Sequence, residues 1–239
     1  MQDLRYLVFL LEGAAALAGL YYYKNNPGNK AAGMFAYFLL LTYFVEAIGL
    51  FPAMIYWNKS LHFLQDGFFY KNFWLYNPYL IVSFVVYLTF FRKNIRNKRV
   101  NRVMKLSVIA YTIASIMVLL FTDVYLNTTS TFTYVTGSIL LLGFIFYYYF
   151  EILLSYRILN IKRDISFYIS IGAVVYFLTT TPIFIYFVYF TNKSPDFVRL
   201  SSMVMIAMNI FMYTTYTLSF MLLAKKHQKE VSKLQKNIG

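Results

Sequence analysis

The chain has 239 residues, of which 60% are hydrophobic and only 13% charged, with a formal net charge of +13. A soluble domain carries about 25% charged residues, so this composition argues against a water-soluble globule and for the bilayer as solvent. With no cysteine, disulfides, thiolate chemistry and cysteine-ligated metals are excluded.

The hydrophobic residues come in long runs, such as Val103–Val124 and Ser201–Leu223, rather than in periodic singles. Runs of about 18 or more apolar residues mark spanning helices. In hydrocarbon every backbone polar group must bond within its own segment, so such runs become helices. The segments of about 10 residues with alternating polarity that build an outer-membrane barrel are absent from the sequence.

Seven helices are predicted, over residues 4–23, 32–57, 74–92, 103–124, 131–156, 165–190 and 199–224. The first has no small-residue cleavage site and no strongly basic start, and reads as a retained helix rather than a signal peptide. It carries Glu12. A turn cluster, Asn25-Asn26-Pro27-Gly28-Asn29, separates it from the second helix, where Glu46 is expected mid-helix with Gly49 one turn on to allow close approach. An amphipathic loop, Asn58–Lys71, leads to helix 3 with Asn77. A basic loop, Arg92–Arg102, leads to helix 4. Helix 5 carries Glu151. Helix 6 carries Tyr176 and Thr179-Thr180-Thr181-Pro182, where the proline frees backbone carbonyls and should kink the helix. The turn Asn192–Asp196 leads to helix 7, with Asn209 and Tyr213. A basic tail, 225–239, follows. Its Val231, Leu234 and Ile238 keep helical spacing that would suit the inner leaflet.

Charge gives this bundle an expected orientation. The first, third and fifth loops and the tail, with adjoining helix ends, carry seventeen basic residues, Arg92–Lys105 most densely. The other side carries five: Arg5, Lys59, Lys71, Lys193 and Arg199. Positively charged loops stay in the cytoplasm, so the amino terminus is expected outside and the carboxyl terminus inside. The +13 charge is accounted for by these flanks and by anionic headgroups, with no call for nucleic acid. Trp57 and Trp74, with several tyrosines, sit at segment ends as an aromatic belt would. Triplets Asn-x-Ser/Thr begin at Asn58, Asn127 and Asn192 on the expected outer side.

Helices 2–3 and 6–7 share features in the same order. Tyr43-Phe44-Val45, Asn77, Val82-Ser83-Phe84 and Arg92-Lys93 correspond to Tyr176-Phe177-Leu178, Asn209, Leu218-Ser219-Phe220 and Lys225-Lys226. This suggests parallel repeats, 4–92 and 131–224, joined by a linker helix at 103–124, a 3+1+3 plan found among transporters.

Acids inside spans are costly and are functional candidates by default. Glu46 leads, and Glu12 and Glu151 are expected nearer segment ends. Around Glu46 the candidate pocket comprises Tyr43, Asn77, Tyr176, Asn209 and Tyr213. No nucleophile elbow, phosphate loop, HExxH or paired-histidine site occurs; the two histidines are His62 and His227. A retinal-type lysine within the last span is missing, since Lys225 and Lys226 lie beyond it. No catalytic residues, cofactor or metal site are expected.

Four stretches, Leu40–Gly49 (LLTYFVEAIG), Asn72–Tyr79 (NFWLYNPY), Phe167–Gly172 (FYISIG) followed by Tyr176-Phe177, and Met208–Tyr213 (MNIFMY), resemble a group of seven-helix integral membrane proteins of Bacteroidota. The residue bias to Phe, Tyr, Lys, Asn and Ile fits that phylum. The likeness runs over roughly residues 31–224, with Thr179–Thr181 replacing the polar pair that often follows the helix 6 tyrosine. It implies a seven-helix fold in a bacterial inner membrane and carries no mechanism. The functional expectation is a sensory, receptor-like protein with a small-molecule or lipid pocket, and a cytoplasmic protein docking on Arg92–Lys105. The alternatives are a small solute transporter and a membrane effector or accessory protein acting through partners.

Overall fold

The computed structural model describes residues 2–52, 55, 71–190 and 194–238, without the side chains of 2, 3, 187–190 and 226–238. Most of the loop expected at Asn58–Lys71, with Trp57 and His62, lies outside the described residues, as do Asn192, Lys193 and the His227 side chain.

Among the described residues seven helices are long and apolar enough to cross a membrane, and no strand occurs. They are α1 (Gln2–Asn25), α2 (Lys30–Gly49), α3 (Phe73–Lys93), α4 (Lys98–Phe121), α5 (Thr131–Leu153), α6 (Ile165–Phe190) and α7 (Pro195–Ile238). A one-turn helix (Val124–Asn127) follows α4, and a 3-10 segment (Tyr156–Arg163) follows α5. The chain is therefore an all-α, multi-pass membrane protein.

Helix starts are fixed by short polar side chains. Asn29 accepts from the Ala32 backbone N–H at 3.0 Å, Asn97 from Arg99 and Val100, and Ser130 from Thr133. Each meets one or two of the N–H groups that a helix start leaves unbonded.

Six helices close a ring. α1 packs on α2, α2 on α3, α3 on α5, α5 on α6, α6 on α7, and α7 returns to α1. α4 lies outside this ring, against α3 and α5, and turns Val103, Leu106, Ile109, Ile113, Met117 and Leu120 outward. Helices that are exposed and apolar in this way face lipid.

The ring is filled by aromatic rings. Phe35 meets Phe38, Tyr87, Phe90 and Tyr216 at centroid distances of 5.7, 5.2, 5.0 and 5.5 Å. Phe84 meets Tyr111, Tyr134 and Phe177. Close approach depends on glycines: Gly137 gives room to Phe84, and Gly172 to Tyr216.

Two expectations change. α2 ends at Gly49 rather than 57, which places Glu46 in its last turn and leaves Glu12, expected near an end, in the middle of α1. The backbone of α7 runs unbroken to Ile238, so the residues after Lys225 continue the last helix past the end of its span. Pro182 lies inside α6, and the Thr180 and Thr181 hydroxyls bond back to the carbonyls of Tyr176 and Phe177 in the turn before it.

Candidate functional site

Inside the ring lies a cavity of about 220 Å³, room for roughly seven waters at ~30 Å³ each. Glu12 (α1), Glu46 (α2), Tyr79 and Ser83 (α3), Tyr134 (α5), Tyr176 (α6), and Asn209 and Tyr213 (α7) give its polar wall. Phe38, Phe84 and Phe177 are among its apolar lining.

Each polar group arrives by helical spacing. On α3, Tyr76, Tyr79, Ser83 and Tyr87 fall at intervals of three, four and four residues, a stripe along one face. On α7, Asn209 and Tyr213 are one turn apart.

The two acids differ. Glu46 Oε2 accepts the Tyr76 hydroxyl at 2.9 Å, and Gly49, one turn on, leaves the space that Tyr76 occupies. Glu12 is 4% exposed, its Oε2 has no hydrogen-bond partner, and the Tyr213 hydroxyl approaches the carboxyl. The carboxyls are near enough to feel each other's charge. A buried carboxyl oxygen left unbonded is costly.

The tyrosines form a graded shell. Tyr79 donates to Thr42 at 2.8 Å, and Thr42 in turn to the Phe38 carbonyl. Tyr134 and Thr180 share a hydrogen bond at 2.5 Å. Tyr176 lies within reach of Tyr134 and Asn209. Tyr87 and Tyr216 share a bond at 3.0 Å beneath the cavity.

Of the residues expected in the pocket, Glu46, Tyr176, Asn209 and Tyr213 stand in the wall, joined by Glu12. Tyr43 does not: its ring stacks on Phe9 at 4.6 Å and lies over Gly13. Asn77 does not either. It is fully buried and its amide donates to the carbonyls of Val124, Tyr125 and Thr128, while its oxygen accepts from the Ser130 N–H. It fastens the α4–α5 connection to α3. Its repeat counterpart, Asn209, bonds instead to the Met205 carbonyl in its own helix. Glu151 is only half-buried and takes the Arg96 N–H on both oxygens, at 2.8 and 3.2 Å. Tyr76, Tyr79 and Tyr134 were missed by sequence reasoning, though the α3 stripe signals the first two.

The other end of the bundle is basic and bolted together. Arg157 donates to the Asn94 carbonyl at 3.0 Å, pairs with Asp164 at 2.9 Å and lies over the Tyr148 ring. Arg92 and Asn101 bond each other's groups. Arg96, Lys98, Arg99, Arg102 and Lys105 remain exposed, the last four within α4. Among the described residues no three His, Cys, Asp or Glu side chains gather as metal ligands. No protein-family model, curated protein or solved structure matches the chain.

Proposed function

We propose that this protein is a receptor-like membrane protein that binds a small molecule in the intramembrane cavity. One observation carries the reading: the buried Glu12 carboxyl has an oxygen with no partner and lines a cavity large enough for a solute. Most buried polar atoms in folded proteins are bonded, and an acid left this way in a spanning helix, on the wall of a cavity, is a binding candidate. The exposed cations of Arg96–Lys105 then offer a surface for a cytoplasmic partner, with the basic end facing inward in a bacterial inner membrane. Nothing in this reading needs a catalytic step.

The test is a thermal-unfolding screen of the purified protein in nanodiscs against small amines, acids, alcohols and lipids. A ligand that binds only the folded protein raises its stability in proportion to concentration over affinity. The reading predicts at least one class that stabilises the wild type and fails on a Ser83→Leu variant with a filled cavity. Equal responses of both proteins to every class would sink it.

A transporter is the second reading, favoured by a ring made of α1–α3 and α5–α7 with α4 set aside, the division a 3+1+3 repeat calls for. It predicts solute flux by the protein alone in liposomes, lost in Glu46→Gln. A partner that co-purifies through Arg92–Lys105, without flux, would favour the receptor or an effector instead.

A further inference from the structure

We propose that the cavity recognises a small organic ammonium ion carrying at least one N–H, its nitrogen set between Glu12 and Glu46 and its hydrocarbon part on Phe38, Phe84 and Phe177. The proposal rests on the pocket reading above and names its ligand class. Four features support it. The wall holds two carboxyls and no Lys, Arg or His, so a carboxylate or phosphate ligand would meet only like charge. Glu46 already accepts from Tyr76, whereas Glu12 Oε2 has no partner and is buried; it lacks a donor, which an N–H supplies and a quaternary ammonium does not. Aromatic faces surround the space, and such faces attract cations while accepting alkyl groups. Among the described residues no third His, Cys, Asp or Glu joins these two acids, so the wall offers no cluster of metal-ligating side chains.

A desolvated carboxyl bonded to a cationic N–H makes a charge-assisted hydrogen bond, the stronger kind. Each partner loses hydration on burial, and their pairing offsets that cost because neither is left buried alone. At about 220 Å³ the space suits a monoamine of a few carbons.

The experiment measures binding of linear monoammonium ions of two to six carbons to the full chain in neutral-lipid nanodiscs. Each is compared with the alcohol and the carboxylate of matching length, by thermal unfolding and by calorimetry. Wild type, Glu12→Gln, Glu46→Gln and Ser83→Leu are tested, the first two variants being accepted only if their unfolding midpoints without ligand match or exceed wild type. The expected result is at least tenfold tighter binding of one ammonium ion than of its alcohol. Glu12→Gln should cut that preference at least tenfold while leaving the alcohol's affinity unchanged, Glu46→Gln should cut it less, and Ser83→Leu should abolish binding of both. If alcohol and ammonium bind equally, in wild type and Glu12→Gln alike, the ammonium assignment is overturned while the pocket stands. A carboxylate that binds best also overturns it. If nothing in the panel binds at millimolar concentration and Ser83→Leu behaves as wild type, both the assignment and the pocket fail.

Discussion

The two ends of the ring solve the same packing problem in opposite ways. Towards the basic end, Phe35, Phe90, Phe91, Ile145, Tyr148 and Phe220 are fully buried, and loops are tied by Arg157 and Glu151. Towards the opposite end, helices of the same composition leave a cavity lined by hydroxyls and two acids. Lipid tails are as apolar as the helices, so association depends on packing and on interhelical hydrogen bonds. One end relies on the first and the other on the second, and only the second leaves space.

That contrast can be broken by truncating its packed half. Phe35→Ala should cost about 3 kcal/mol or more, at the low end of core phenylalanine truncations, read as a lowered unfolding free energy in mild detergent. A cost under ~1 kcal/mol would mean that the basic end is not the dense one.

Asn77→Ala should cost next most. Its two amide hydrogens, shared among three carbonyls, and its oxygen join this side chain to the segment 124–130, and three bonds at roughly 0.6 kcal/mol each within a membrane come to about 2 kcal/mol. Hydrogen exchange should rise at Val124–Ser130 before anywhere else. Exchange that stays unchanged there would show the asparagine is not the fastener.

At the hollow end the sign reverses. Glu12→Met removes a buried carboxyl with an unpartnered oxygen, and stability should rise by about 1 kcal/mol, while ligand stabilisation disappears. A fall in stability would mean that Glu12 is structural glue. The smallest effect is expected for Glu151→Ala. Its bond to Arg96 is half-exposed to solvent, so the cost should be about 0.5 kcal/mol and shrink with salt.

The spans were legible because hydrocarbon admits few alternatives to a long apolar run. The end of α2 was not. Leu50-Phe51-Pro52-Ala53-Met54-Ile55 continues the apolar stretch past Gly49, and hydropathy has no marker for a helix that stops inside such a run. That one boundary moved Glu46 from mid-helix to a last turn, while Glu12, on the wall of the same cavity, sits in the middle of α1. Glu46, Tyr176, Asn209 and Tyr213 could be grouped from sequence because polar side chains in spans turn inward. Asn77 misled for the same reason: it turns inward, but to carbonyls 47–51 residues away and an N–H 53 away, which spacing cannot reveal. Tyr43 is one of 24 tyrosines, and composition cannot tell a packing ring from a pocket ring.

α7 carries Asn209, Met212 and Tyr213 in the cavity wall and runs on as one helix to Ile238. From Asp196 to Ile238 it contains neither glycine nor proline. Its 44 residues measure about 66 Å at 1.5 Å per residue, some twice the ~30 Å of bilayer hydrocarbon. Such a rod has no hinge at which to lose a rotation. A turn of α7 about its axis at the cavity would carry the backbone beyond Lys225 through the same angle, well past the end of the span.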